Sequence, residues 1–427
     1  MLWTRRTETV PRAAGTAPHP RRAAVAGQVI RIGNPSSTEG GTAMPRKGLR
    51  LALAFLVLLC LPRLAASQEP YKIGAIFSIT GPGSSLGIPE RDTAQMLEAE
   101  INAKGGLPGP VRHPVKIIIY DDASDETKAV LAAKKLIEED RVAAIIGTTL
   151  SGTSLAILGA VQTAQIPLVS CAAAIKIVEP AAERKWVFKT PQSDWLIIDV
   201  LVDYLKAKGL TKVGWLNVDY AFGELGWIEF EKAAPKAGIQ ILNHEKFGQK
   251  DVDMTPQLTR VKAANPQSVV IWSIPPSASI ATKNYRDLGI KAPLFQSHGV
   301  GNKTYINLAG PAANGVVFPV GKLLVAEQLP DSDPQKPVLL AYAKAFEGKY
   351  GPRNTFGGHA WDAVQLVTRA MERAGNNRAA IRDAIEGTRN FVGITGVFDF
   401  SPTDHNGLDR RAVTMVEIVD GQWRPAK

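Results

Sequence analysis

Residues 71–120 read YKIGAIFSITGPGSSLGIPERDTAQMLEAEINAKGGLPGPVRHPVKIIIY. Tyr71–Phe77 (YKIGAIF) is an apolar run of strand length. Gly81-Pro82-Gly83-Ser84-Ser85-Leu86-Gly87 is a turn rich in Gly. Glu90–Ala103 sets Ala94, Leu97 and Ile101 on one helical face, and Gly105-Gly106 ends it. Val115–Tyr120 (VKIIIY) is apolar without alternation, as a strand covered on both faces must be. Strand, helix and strand in this order predict a parallel βαβ unit and an α/β sheet.

The same alternation runs outward to the C-terminus. Helices are predicted at Glu126–Glu139 and Gly152–Gln165, and strands at Val142–Gly147 and Pro167–Ser170. The pattern then restarts, with helices at Asp194–Lys208, Gly223–Ala237, Thr255–Ala264 and Ser277–Leu288. Strands at Val213–Val218, Ile239–Phe247, Ser268–Ser273 and Pro293–Ser297 alternate with them. The last third changes character: helices near Val338–Lys349, His359–Ala374 and Arg378–Glu386, then strands near Val397–Phe400 and Val413–Val419. Two α/β runs and a helix-rich return predict two lobes between which the chain passes more than once. The expected boundaries are 68–191 with 322–392 for lobe one, and 192–321 with 393–427 for lobe two.

Upstream, Met44 opens a second pattern. Arg46, Lys47 and Arg50 precede the apolar run Leu51–Leu61, and Ala65-Ala66-Ser67 supplies small residues for cleavage. That layout is an export signal, too short in its apolar core to remain as a membrane span. Residues 44–67 are therefore expected to be removed, leaving a chain from Gln68 that works in the periplasm. Residues 1–43 hold six Arg, no Lys and no hydrophobic periodicity, and read as a mis-assigned leader.

The formal net charge of +10 sits mostly in those first residues. Residues 1–67 carry ten Lys and Arg against Glu8 and Glu39, leaving 40 bases and 38 acids in the rest. No basic surplus remains to support nucleic-acid binding. Cys60 falls within the signal, and Cys171 alone makes no internal disulfide.

Gly81, Gly83 and Gly87 resemble a dinucleotide fingerprint stretched by one residue, with Asp121 and Asp122 where a ribose acid would sit. The plainer reading is a turn that lets backbone approach closely. No Walker loop, metal-ligand cluster or G-x-S-x-G elbow occurs, and His113, His244, His298, His359 and His405 are isolated in sequence. Thr148-Thr149-Leu150-Ser151-Gly152-Thr153 is more telling. It joins a predicted strand to a predicted helix, with Ser151 as the expected N-cap. A helix N-terminus at a strand's carboxyl end attracts anions, although Ser and Thr also cap helices with no ligand in view.

The chain from about Tyr71 onward resembles the leucine/isoleucine/valine-binding proteins of ABC transporters, the type I periplasmic binding fold. The likeness rests on Tyr71-Lys72-Ile73-Gly74 with Gly81-Pro82, Glu100-Ile101-Asn102-Ala103-Lys104-Gly105-Gly106, Tyr120-Asp121-Asp122 and Ile145-Ile146-Gly147. Phe222-Gly223 and Ser297-His298-Gly299-Val300 continue it. The resemblance implies two lobes around a three-stranded hinge that close on a small ligand. It implies that Ser151 binds the ligand's carboxylate and that Ala172 offers a backbone carbonyl. Two departures matter. Ala174 stands where amino-acid binders place a Thr, and His298 stands where they place the Glu that neutralises the ligand's ammonium. An ammonium buried without a carboxylate is costly. Leu86 replaces a common Tyr.

Ala174–Pro180 and Trp186–Pro191 are similar to a branch associated with aromatic and related carboxylic acids. Leu86, Leu150, Phe222 and Ile274 are expected to wall an apolar tail or ring, beside Thr149 and Ser151. The expectation is a monomeric, non-enzymatic binding protein without cofactor. It would pass a small organic carboxylate to a membrane ABC permease and its ATPase. A ligand sensor on the same fold, and an exported oxidoreductase with a nucleotide cofactor, are the alternatives.

Overall fold

The computed structural model describes residues 68–427 except Pro110; the predicted leader and signal segment lie outside the described residues. Two sheets organise the chain. The first runs in the order β2-β1-β3-β4-β5, all parallel, from β1 (Tyr71–Phe77), β2 (Val115–Asp121), β3 (Ala144–Gly147), β4 (Leu168–Ser170) and β5 (Val187–Lys189). Its helices are α1 (Ser84–Ala103), α2 (Glu126–Glu138) and α3 (Ser151–Ala164).

The second sheet repeats that order. β6 (Lys212–Val218), β7 (Gln240–Phe247), β8 (Ser268–Trp272), β9 (Leu294–Gln296) and β10 (Val317–Val320) lie as β7-β6-β8-β9-β10, again parallel. The intervening helices are α4 (Asp194–Ala207), α5 (Ala221–Ala233), α6 (Thr255–Ala263), α7 (Ser277–Asp287) and α8 (Lys303–Ala309). Each sheet therefore has a switch point, where successive connections leave in opposite directions. It lies between β1 and β3 in the first sheet and between β6 and β8 in the second. Loops at the carboxyl ends of such strands open a crevice.

The chain crosses between the sheets three times. It leaves β5 through Thr190–Ser193, and returns after β10 as α9 (Lys336–Tyr350), α10 (Thr355–Ala374) and α11 (Arg378–Glu386), with α10 packed along α1. A hairpin, β11 (Phe391–Val392) with β12 (Val397–Phe398), precedes the last crossing to β13 (Thr414–Val419) and β14 (Gln422–Pro425), which extend the second sheet antiparallel. The crossings are stitched together. Gln192 donates to the carbonyls of Thr395 (2.8 Å) and Ala412 (3.1 Å), and the Ser193 hydroxyl donates to Asn406 (2.7 Å). The expected two-lobed α/β architecture with parallel cores is the observed one.

Two departures from the expected elements bear on the site. Helix α1 starts at Ser84, six residues before the predicted Glu90, and carries Pro89 inside it. Much of the Gly-rich stretch is thus helix. A Cβ on Gly87 would lie 2.2 Å from the Ser78 carbonyl oxygen, so this glycine lets the helix start press on the end of β1. Asp121 accepts from the amides of Ile79 (2.9 Å), Thr80 (3.2 Å) and Ala123 (2.8 Å) and fastens the same turn. The glycines and aspartates that mimic a dinucleotide fingerprint are spent on packing within lobe one. The second departure is that Leu150, with extended φ/ψ of −103° and 149°, is the N-cap of α3. Ser151 is the first helical residue and makes no capping bond.

Candidate functional site

The two switch points face one cavity between the lobes. From lobe one come Leu86, Thr149, Leu150, Ser151, Cys171, Ala173, Phe356 and His359; Pro191 comes from a crossing segment. From lobe two come Tyr220 and Phe222 after β6, Ile274 after β8, and His298 and Gly299 after β9. Seven predicted residues are thereby brought together: Leu86, Thr149, Leu150, Ser151, Phe222, Ile274 and His298.

Ala172 and Ala174 are not on this wall. The extended stretch after β4 alternates sides, and Cys171 and Ala173 take the cavity side. Ala172 and Ala174 join the apolar cluster of Ile145, Ile157, Val161 and Leu168. The Ala174 amide instead donates to the Ser151 hydroxyl at 3.4 Å, holding Ser151 from behind. The stretch offers the cavity a methyl and a thiol, and burial pushes the Cys171 thiol's pKa well up, so it stays neutral.

Thr149 lines the cavity, but its hydroxyl is occupied. It accepts from the Ser78 amide at 2.9 Å and donates to the buried Glu90 carboxyl. Burial holds the Glu90 pKa well above the carboxylate range, with the Asp122 charge adding to it. Thr148, Thr153, Ser154 and Ser170 bond to one another in a chain at 2.8 Å per step, ending on the Ala172 amide at 3.1 Å. Of the whole Ser/Thr loop, Ser151 and the first amides of α3, which have no intrahelical acceptors, remain for an anion.

Aromatic rings from both lobes line the rest of the cavity. His298 stands edge-on to Phe222 (5.4 Å) and Trp272 (5.7 Å), and His359 edge-on to Phe356 (5.4 Å). Both imidazoles are buried, and both have an Nδ1 without a partner; so has the Tyr220 hydroxyl. Burial draws the His298 and His359 pKa values down to about 3, with the buried Lys189 ammonium contributing to both. His298 is therefore neutral in the cavity. Lys189 itself donates to the Pro191 carbonyl (2.7 Å) and the Ser193 hydroxyl (3.1 Å), below the crossing.

Six contributors of side chain to the cavity escaped the sequence reading: Cys171, Ala173, Pro191, Tyr220, Phe356 and His359. Tyr220 lies two residues from Phe222 and was within reach of the same argument. His359 lies far along the chain from every motif, and only the packing of α10 against α1 brings it here.

The sequence profile of the periplasmic binding protein family matches residues 70–422. The chain belongs to that family. Its relatives include the leucine-, isoleucine-, valine-, threonine-, and alanine-binding protein of Pseudomonas aeruginosa, 25% identical, covering 72% of this chain and 80% of the relative. The Leu/Ile/Val-binding protein homolog 3 of Brucella melitensis is 23% identical, over 79% of this chain and 89% of its own. Among solved structures, an extracellular ligand-binding receptor from Rhodopseudomonas palustris matches with a TM-score of 0.78 and 32% identity. The match covers 84% of this chain and all of that one. This binding protein is thus a relative of branched-chain amino acid transport proteins, a family of solute binders and not of enzymes. The family places it in the periplasm.

Proposed function

We propose that this binding protein captures a small carboxylic acid lacking an α-ammonium group, aromatic in preference to aliphatic, and delivers it to an ABC permease. One observation carries the reading: none of the residues lining the cavity is an aspartate or glutamate. The nearby Glu90 is engaged by Thr149, and burial holds its pKa well above the usual carboxylate value. An amino acid held here would bury its ammonium with no counter-charge, which costs several kcal/mol even after relaxation (about that per ion). A carboxylate, by contrast, meets Ser151 and the amino end of α3. Leu86, Leu150, Phe222, Ile274 and Phe356 supply flat and branched apolar surface for a ring.

Closure fits delivery. The Thr355 hydroxyl of lobe one donates to the Gly301 carbonyl of lobe two at 3.2 Å. A Cβ on Gly152 would stand 3.8 Å from the Ala221 methyl of the opposite lobe. A ligand touching both walls stabilises this closed form over an open one. A melting-temperature series over aliphatic and aryl carboxylates and free amino acids tests the proposal. Stabilisation confined to amino acids would reject it.

A further inference from the structure

Three residues that line the cavity each carry a buried polar atom without a partner: the Tyr220 hydroxyl and the Nδ1 atoms of His298 and His359. They arrive from three separate places, the start of α5, the turn after β9 and the first turns of α10. Buried polar atoms are almost always hydrogen-bonded, so three unpartnered atoms on residues that line one cavity mark a place for a polar ligand group. They are set among Phe222, Trp272 and Phe356, whereas Ser151 belongs to the apolar wall of Leu86, Leu150 and Ala173. Resting on the carboxylate reading above, we infer that Tyr220, His298 and His359 form a second polar subsite that binds an uncharged hydroxyl group carried by the same ligand.

The chemistry favours a hydroxyl over a second carboxylate. A hydroxyl donates one hydrogen bond and accepts up to two, and a neutral imidazole or a phenol can answer in either sense. No Lys or Arg lines the cavity. A second carboxylate there would be buried without a cation, the arrangement that costs most. Neutral groups on both sides fit without a charge to pair, and burial does keep both imidazoles neutral.

Calorimetric titration of the wild-type protein with benzoate, 3-hydroxybenzoate, 4-hydroxybenzoate and terephthalate tests this. At least one hydroxybenzoate should bind about 10- to 100-fold more tightly than benzoate, because benzoate leaves the buried atoms unpaired. In Tyr220→Phe, which removes one oxygen, and in His359→Leu, the ratio of hydroxybenzoate to benzoate affinity should shrink several-fold. Benzoate binding as tightly as both hydroxybenzoates would overturn the second subsite while leaving the carboxylate reading intact. Terephthalate binding more tightly than either would overturn its neutral character. Binding of none of the four would defeat the aryl carboxylate reading and the subsite together.

Discussion

The Ser/Thr loop and the aromatic residues around the cavity treat their polar atoms in opposite ways. On the lobe-one side, Thr148, Thr149, Thr153, Ser154 and Ser170 are bonded to one another or to backbone, leaving Ser151 beside the helix amides. On the aromatic side, Tyr220, His298 and His359 stop short of any partner. A hydroxyl-rich motif is thus mostly scaffold, while Tyr220, His298 and His359 hold the unspent hydrogen-bonding capacity. Partner accounting separates the two where residue type does not.

The sharpest way to break this contrast is to put a charge on the aromatic wall. His298→Glu sets a carboxylate in an enclosed space facing an anionic ligand, and aryl carboxylate affinity should fall more than about 100-fold. Calorimetry showing a change under two-fold would reduce His298 to packing. Next in size is Ser151→Ala. A hydrogen bond to a charged group contributes about 1.5–3 kcal/mol, so binding should weaken roughly 10- to 150-fold while the amides of α3 keep some affinity. Because Leu150 and not Ser151 is the cap, the unliganded melting temperature should fall only slightly, through the long 3.4 Å bond lost to the Ala174 amide. A lowered melting temperature with unchanged affinity would make Ser151 structural.

The histidines also predict a pH dependence. Each has its pKa drawn down from 6.5 to about 3 by burial, so the open or unfolded chain binds the proton more readily. Their contribution to the closed, folded form is present above pH 6.5 and is lost as pH falls below it, by up to about 1.4 kcal/mol per histidine per pH unit. Glu90, with its pKa raised, works in the opposite sense, losing stability as pH rises. Comparing wild type with the His298→Gln/His359→Gln double variant from pH 7 to 5 isolates the imidazoles. Parallel melting curves against pH would contradict their buried neutrality. The smallest effect belongs to the scaffold side. Thr149→Val strands the Ser78 amide and Glu90, and should lower stability by about 1–2 kcal/mol in a denaturant titration. Stability equal to wild type would show that its hydroxyl is not a strut.

Much of this was legible in the chain. Tyr71–Phe77 and Arg378–Glu386 match the expected spans, and most strands and helices fall within one or two residues of the reading. Apolar periodicity reports burial directly, and both lobes are built on it. Misreadings came where local signals competed. Pro89 and the glycines at 81, 83 and 87 argued for a loop, but packing of α1 on β1 and α10 carried the helix back to Ser84. Val317–Val320 contains Pro319 and was not read as a strand, yet it pairs with β9 and β13. At the cavity, the family likeness pointed to loops that line it but not to the phase of the 171–174 stretch, where one residue decides which side chains face the cavity. His359 had no local signal at all, because its role depends on a contact between distant helices.

The central claim is that the cavity receives a carboxylate without a companion ammonium. Calorimetric titration of the purified protein with benzoate and with leucine, under identical conditions, tests it most directly. Benzoate or its hydroxylated forms should bind and, at about 100 times the dissociation constant, add roughly 2.7 kcal/mol of stability. Leucine should give neither heat of binding nor a melting shift. Saturable binding of leucine, with none of the aryl acids, would contradict the account.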